Sequence, residues 1–126
     1  MTRINVVPVE ELCDQHLLAE WRELTRIPNG ILAGKLKYDL EKIPKEYTLG
    51  KGHMYFFVNK LQYLYSRYDE ILIECALRKF NVMSHWKPGA RGQHLWSDYI
   101  PTDKALSINR IRIEERMPTK PRYYGK

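Results

Sequence analysis

One apolar series between residues 53 and 80 constrains this chain most. Phe57, Leu61, Leu64, Tyr68, Ile71, Leu72 and Cys75 recur at steps of three and four, the spacing that lines one face of an α-helix. This stretch is predicted to be the central helix of the core. A second series spans residues 9–24. Val9, Cys13, Leu17, Trp21 and Leu24 fall within one arc of about 120° at about 100° per residue, with Glu20 as the polar exception. Pro8 suits the first turn of that helix, and Glu10 and Glu11 suit its positive end. Opposite the apolar arc lie Gln15, Ala19, Arg22 and Arg26, with Glu23 beside them.

Pro28-Asn29-Gly30 predicts a break, and a short helix is expected over about 31–41. Residues 81–101 contain Pro88, Gly89, Gly92 and Pro101 and read as a long loop. Pro101-Thr102-Asp103 marks a helix start with Thr102 as N-cap, and that helix is expected to run to about Arg116. Two prolines and a glycine exclude a regular helix over 117–126. No hairpin signal occurs. The expected fold is all-α: a single compact domain over residues 2–126, with three principal helices and long connecting loops.

At 126 residues and 44% apolar content the chain has material for one core. No run approaches the roughly 18 apolar residues of a membrane span, and no apolar leader precedes Glu10. Cys13 and Cys75 are too few for a disulfide framework, so a reducing, cytoplasmic setting is expected. The net charge is +6. Residues 104–126 hold seven basic groups against Glu114 and Glu115 and carry most of that excess. Such a distribution suits an anionic partner, nucleic acid among them, although a solvated basic chain end would look the same.

Several chemistries are absent. There is no phosphate-binding GxxxxGK[ST] loop, no GxGxxG after a strand and no GxSxG. His16, His53, His85 and His94 lack metal-ligand spacing, and no cysteine pair completes a zinc site. Cys13 and Cys75 lie on apolar faces and read as core. No metal or cofactor is expected. Two features remain. Arg22-Glu23 with Arg26 places a carboxylate between cations on a polar helix face, which is either a surface ion cluster or a working site. Met1-Thr2 is the second, because a small residue at position 2 permits removal of the initiator methionine. The Thr2 α-amine would then have an unperturbed pKa of about 7.7–8.0, with roughly a seventh of it neutral at pH 7. Arg3, Arg22 and Arg26 nearby would raise that fraction. Such an amine can attack a sugar C1′ and form a Schiff base, and one carboxylate beside it can move protons.

These residues carry a resemblance. MTRIN, ELCDQHLLAEWREL, GKGHMYFFVNKLQYLYSR (50–67), IECALRKFNV (73–82), SDYIP (97–101) and RYYGK (122–126) are similar to the pyrimidine-dimer DNA glycosylase/AP lyase family of T-even phages, the phage endonuclease V family. The resemblance implies a monomeric all-α enzyme without metal or cofactor, acting on double-stranded DNA with pyrimidine dimers or abasic sites in a bacterial or phage-infected cell. It implies Thr2 as the amine nucleophile and Glu23 as the essential carboxylate. Arg3, Arg22 and Arg26 would contact phosphates and sugar, with Gln15 and His16 lining the site. Arg112 and Arg116 would lie along the DNA. The family's tail carries an aromatic pair ahead of the final Tyr-Tyr-Gly-Lys. Here Lys120, Pro121 and Arg122 stand in its place, while Tyr123 and Tyr124 remain. Trp86 and Trp96 read either as local packing or as platforms for DNA bases. The same chemistry on another damaged base is one alternative. A non-catalytic basic DNA-binding module is another, and Glu23 weighs against it, since a phosphate binder gains nothing from a carboxylate between arginines.

Overall fold

The computed structural model describes residues 3–87 and 93–123, and every regular element among them is helical. Thr2 and Tyr124 lie outside the described residues. The helices are α1 (Asp14–Glu23), α2 (Arg26–Leu32), α3 (His53–Phe56), α4 (Leu61–Leu77) and α5 (Asp103–Glu115). The longest, α4, buries Leu61, Leu64, Tyr68, Ile71 and Cys75 on one face, the face that the apolar spacing predicts. Against it lie Leu17 and Leu24 at α1, with Ile27, Phe56, Phe57 and Leu95 completing the centre. None of the described helices is long and apolar enough to cross a membrane.

The sequence expectations are corrected at four places. The helix expected over 9–24 begins only at Asp14, because Val9–Glu11 is a separate 3-10 turn and the chain is extended at Leu12 and Cys13. The break expected at Pro28-Asn29-Gly30 falls earlier, because α2 runs through those residues. Pro28 occupies the first turn of α2, where its missing N–H is not needed. That N–H is the one a continuous helix would send back to the Leu24 carbonyl, so α1 ends one turn upstream of the proline. The helix expected over 31–41 ends at Leu32 instead. Gly34, at φ 72°, turns the chain there, and the amides of Lys35 and Leu36 both return to the Gly30 carbonyl at 2.9 and 3.0 Å. The stretch 53–80 is two helices, with Lys60 between them. Its ammonium donates to the Phe56 carbonyl at 2.7 Å and stands 3.8 Å from the Phe56 ring centroid. That lysine satisfies the end of α3, and the four-residue step from Phe57 to Leu61 keeps both in the core and hides the break.

The start of α5 is as expected, with the Thr102 hydroxyl accepting the Ala105 amide at 3.0 Å. Cys13 and Cys75 are both buried, and burial pushes the Cys75 thiol up to about 11. Trp86 is ringed by Tyr65 at 5.2 Å, Trp96 at 6.0 Å and Tyr68 at 6.2 Å, the arrangement of local packing.

Two buried arginines hold the helices to the N-terminal segment. Arg67 of α4 makes a two-point bond to Glu20 of α1, at 2.8 and 3.0 Å, and also donates to the Val7 carbonyl. Arg78 joins Glu74 at 2.8 Å and Asp14 at 3.1 Å. Removing one partner of such a pair leaves a buried charge uncompensated. Arg67→Met is therefore expected to lower the free energy of unfolding by about 3–5 kcal/mol, read by urea denaturation. Lys104→Met breaks the exposed pair with Glu46 and should leave the midpoint in place.

Candidate active site

The site is built on the stretch Ile4–Val7, which belongs to no helix yet is buried throughout. A buried backbone needs partners for its N–H and C=O groups, and no strand is present among the described residues to supply them. Side chains do so instead. Asn109 Oδ1 accepts the amides of Val6 at 2.7 Å and Val7 at 3.2 Å. His53 Nε2 accepts the Ile4 amide at 2.7 Å, and the Tyr47 hydroxyl donates to the Ile4 carbonyl at 3.1 Å. The Asn5 side chain donates to Glu20 at 2.8 Å and accepts from Asn109 at 2.8 Å. The segment is thus bolted to α1, α3 and α5 at once.

Arg3, at the end of this segment, lines a cavity of about 260 Å³ together with His16, Glu23, Arg112 and Arg116. Five residues singled out from sequence therefore meet in one place. Asn5, Glu20 and His53 share the cavity wall, and sequence reading assigned them no role. Their signal was present only as polar residues in otherwise apolar surroundings, Glu20 most plainly. Gly50 also lines it, at φ 80°, a left-handed backbone that glycine adopts at no steric cost. It opens the tight turn Gly50–Gly52 that leads into His53.

Two carboxylates of α1 face the cavity and have opposite fates. Glu20 is fully engaged by Arg67 and Asn5. Glu23 is half-buried and has no hydrogen bond or ion pair with another described residue. It is also the last residue of α1, the negative end of the helix dipole, where a carboxylate is disfavoured unless cations stand near. Arg3, Arg112 and Arg116 are those cations. Burial lowers the Arg3 pKa from its ordinary value, and Arg112 and Arg116 act in the same direction. Burial is the larger cause and the like charges add to it, and an anion entering the cavity would offset both.

His16 donates its Nε2–H to the Arg116 carbonyl at 3.0 Å, which leaves Nδ1 as the bare nitrogen. That Nδ1 and the Arg3 Nε are buried without a partner among the described residues, so two residues of the cavity wall each hold an unsatisfied polar atom. Not every expected residue is here. Gln15 faces the C-terminal tail, donating to the Lys120 carbonyl at 2.9 Å and accepting the Arg122 amide at 3.2 Å. The Arg122 carbonyl in turn accepts the Asp14 amide at 2.7 Å and so caps α1, whose N-cap Cys13 makes no side-chain cap bond. Arg22 and Arg26 are exposed and stand outside the cavity lining, as does exposed Tyr123. Among the described residues no group of three or more histidine, cysteine or acidic side chains is placed to hold a metal.

An uncommitted carboxylate set among arginines is an arrangement suited to an anionic ligand. Comparison with known families agrees: the family model described as pyrimidine dimer DNA glycosylase matches residues 1–88. The chain belongs to that family and so to the DNA repair glycosylases, with DNA as the substrate class. The matched span includes Arg3, His16 and Glu23, whereas Arg112 and Arg116 lie beyond it.

The hydrogen bond that His53 accepts from the Ile4 amide requires a neutral ring, whereas His16 donates to the Arg116 carbonyl in either protonation state. Burial lowers both pKa values, with Arg3 acting in the same sense. Below the ordinary histidine value the unfolded chain binds protons that the native chain refuses, so stability must fall there as pH falls. Thermal unfolding should give a flat Tm above about pH 7 and a declining one below about pH 6.5, with a shallower decline in His16→Gln.

Proposed function

We propose that this chain excises cyclobutane pyrimidine dimers from UV-damaged duplex DNA and then nicks the strand as an AP lyase, with the Thr2 α-amine as nucleophile and Glu23 as the proton-moving carboxylate. One observation carries the reading. Arg3, one peptide bond from Thr2, lines the same cavity as Glu23, and consecutive Cα atoms are about 3.8 Å apart. A chain beginning at Thr2 has its amine one residue from Arg3, and Glu23 is the only carboxylate of that wall without a structural partner among the described residues.

The steps follow from the groups. The neutral amine attacks C1′ of the 5′ pyrimidine, and the glycosidic electron pair leaves with the base. Loss of the amine proton and opening of the sugar ring give an iminium at C1′. Glu23 stabilises that positive charge and then accepts the C2′ proton. The electrons freed at C2′ expel the 3′ phosphate, and water hydrolyses the iminium to release the enzyme. Arg3, Arg22 and Arg26 bind phosphates and sugar, and Arg112 and Arg116 extend that contact along the duplex. His16 helps to line the site. Gln15 serves indirectly by holding the tail at Lys120 and Arg122, and Tyr123 and Tyr124 contact the substrate. Lesion choice comes from the low cost of bending and unpairing damaged DNA. Residues 2–126 act as one monomeric domain in the cytoplasm of a bacterial or phage-infected cell, without metal or cofactor.

Borohydride trapping tests the reading on UV-irradiated, abasic and undamaged duplexes. The expected result is a covalent adduct on the first two, mapped to the Thr2 amine. An adduct on abasic DNA alone would move the substrate to another damaged base, and none on any duplex would leave a DNA-binding protein. Glu23→Gln should abolish nicking and trapping while damaged duplex is still bound in gel shifts. Retention of Met1 should stop the chemistry. Arg116→Gln should weaken binding to all duplexes and reduce the slope of log K against log salt by about 0.9.

A further inference from the structure

His53 stands at the start of α3, is 3% exposed, and lies outside the mechanism as written. Its Nε2 faces the Ile4 amide at 2.7 Å and its Nδ1 faces the Thr48 carbonyl at 2.8 Å. An amide only donates and a carbonyl only accepts, so the ring is neutral with its hydrogen on Nδ1. Tyr47, whose hydroxyl holds the Ile4 carbonyl, meets the His53 ring edge-on at 5.5 Å between centroids. Both polar backbone groups of Ile4 are thus held by two side chains that brace each other. Ile4 adjoins Arg3, and His53 and Arg3 line the same cavity as Glu23.

We propose that His53 is a positioning residue and proton-controlled latch: its neutral Nε2 fixes the backbone at Ile4, and with it the reactive chain end, and protonation of that nitrogen releases the hold. The proposal rests on the reading of Thr2 as nucleophile. A protonated ring carries N–H at Nε2, so two donors would face each other and the Ile4 amide would be left buried without an acceptor. The charges facing the ring come from three elements. Arg3 of the N-terminal segment and Arg112 of α5 oppose the proton, and Glu20 of α1 favours it. Glu20 is already held by Arg67 and Asn5. Burial outweighs them all and, with the arginines, keeps the pKa below the ordinary histidine value. Tyr47 stays protonated, because burial pushes its phenol up. His16, Glu23 and Arg116 also line the cavity.

The test is single-turnover trapping on an abasic duplex between about pH 5 and about pH 8, with wild type, His53→Gln and His53→Ala. The amine alone gives about a tenfold fall in rate per pH unit. Wild type should fall by a further factor of about ten per unit below the His53 transition. His53→Gln supplies an oxygen that accepts the Ile4 amide and does not titrate. It should keep adduct formation at about pH 8 and lose that extra limb. His53→Ala should bind duplex as wild type does and trap at least about tenfold more slowly at every pH. Equal acid slopes in wild type and His53→Gln overturn the proposal. A second measurement needs no variant. In wild-type NMR titrations the Ile4 amide should move with the His53 ring at a shared midpoint, and an Ile4 amide that stays still overturns the latch. Wild type that traps no adduct at any pH refutes the Thr2 reading instead, and the NMR titration then decides alone whether His53 holds Ile4.

Discussion

A buried non-helical segment inside an all-helical core sets the terms for the rest of this structure. Ile4–Val7 cannot pair with a strand, because none is present among the described residues. Each orphaned backbone group there would cost about 1–3 kcal/mol. The chain meets the demand with side chains from four places: Tyr47, His53, Arg67 and Asn109. Two consequences follow. Those four positions are committed to structure, and Ile4–Val7 is fixed against the helices rather than left to fray.

The same arrangement separates the two acidic residues of the α1 face. Glu20 and Glu23 are one turn apart and line one cavity. Glu20 is spent on Arg67 and Asn5, which tie the N-terminal segment to α4. Glu23, the last residue of α1, lines the cavity with Arg3, Arg112 and Arg116 and has no such partner among the described residues. One carboxylate holds Asn5 in position and the other faces the open cavity. Rigid support behind a reactive group is what an active site needs, since misplacement by about an ångström is costly.

Much of this was legible in the sequence, and the rest was hidden for physical reasons. Helical class, the core face of α4, the Thr102 cap and the cluster of Arg3, His16, Glu23, Arg112 and Arg116 all follow from spacing, capping chemistry and family resemblance. The break at Lys60 was invisible because a four-residue step survives it. The break near Leu24 was misplaced because a proline interrupts a helix one turn before itself, at the carbonyl it fails to bond. Gln15 shares a helix face with the site in sequence, yet its amide is taken by the backbone of the tail, a contact more than a hundred residues away in the chain. Asn5, His53 and Asn109 could not be found from pattern at all. A side chain that satisfies a distant backbone leaves no local periodicity.

The central claim is that side-chain acceptors hold the N-terminal segment as firmly as the helices hold themselves. Native-state hydrogen exchange at the amides of Ile4, Val6 and Val7 tests it most directly. The account predicts protection equal to that of the buried face of α4, lost only on global unfolding. Exchange at the rate of the exposed 83–87 loop would contradict it, and would mean that the fold does not fix the segment that leads to Arg3.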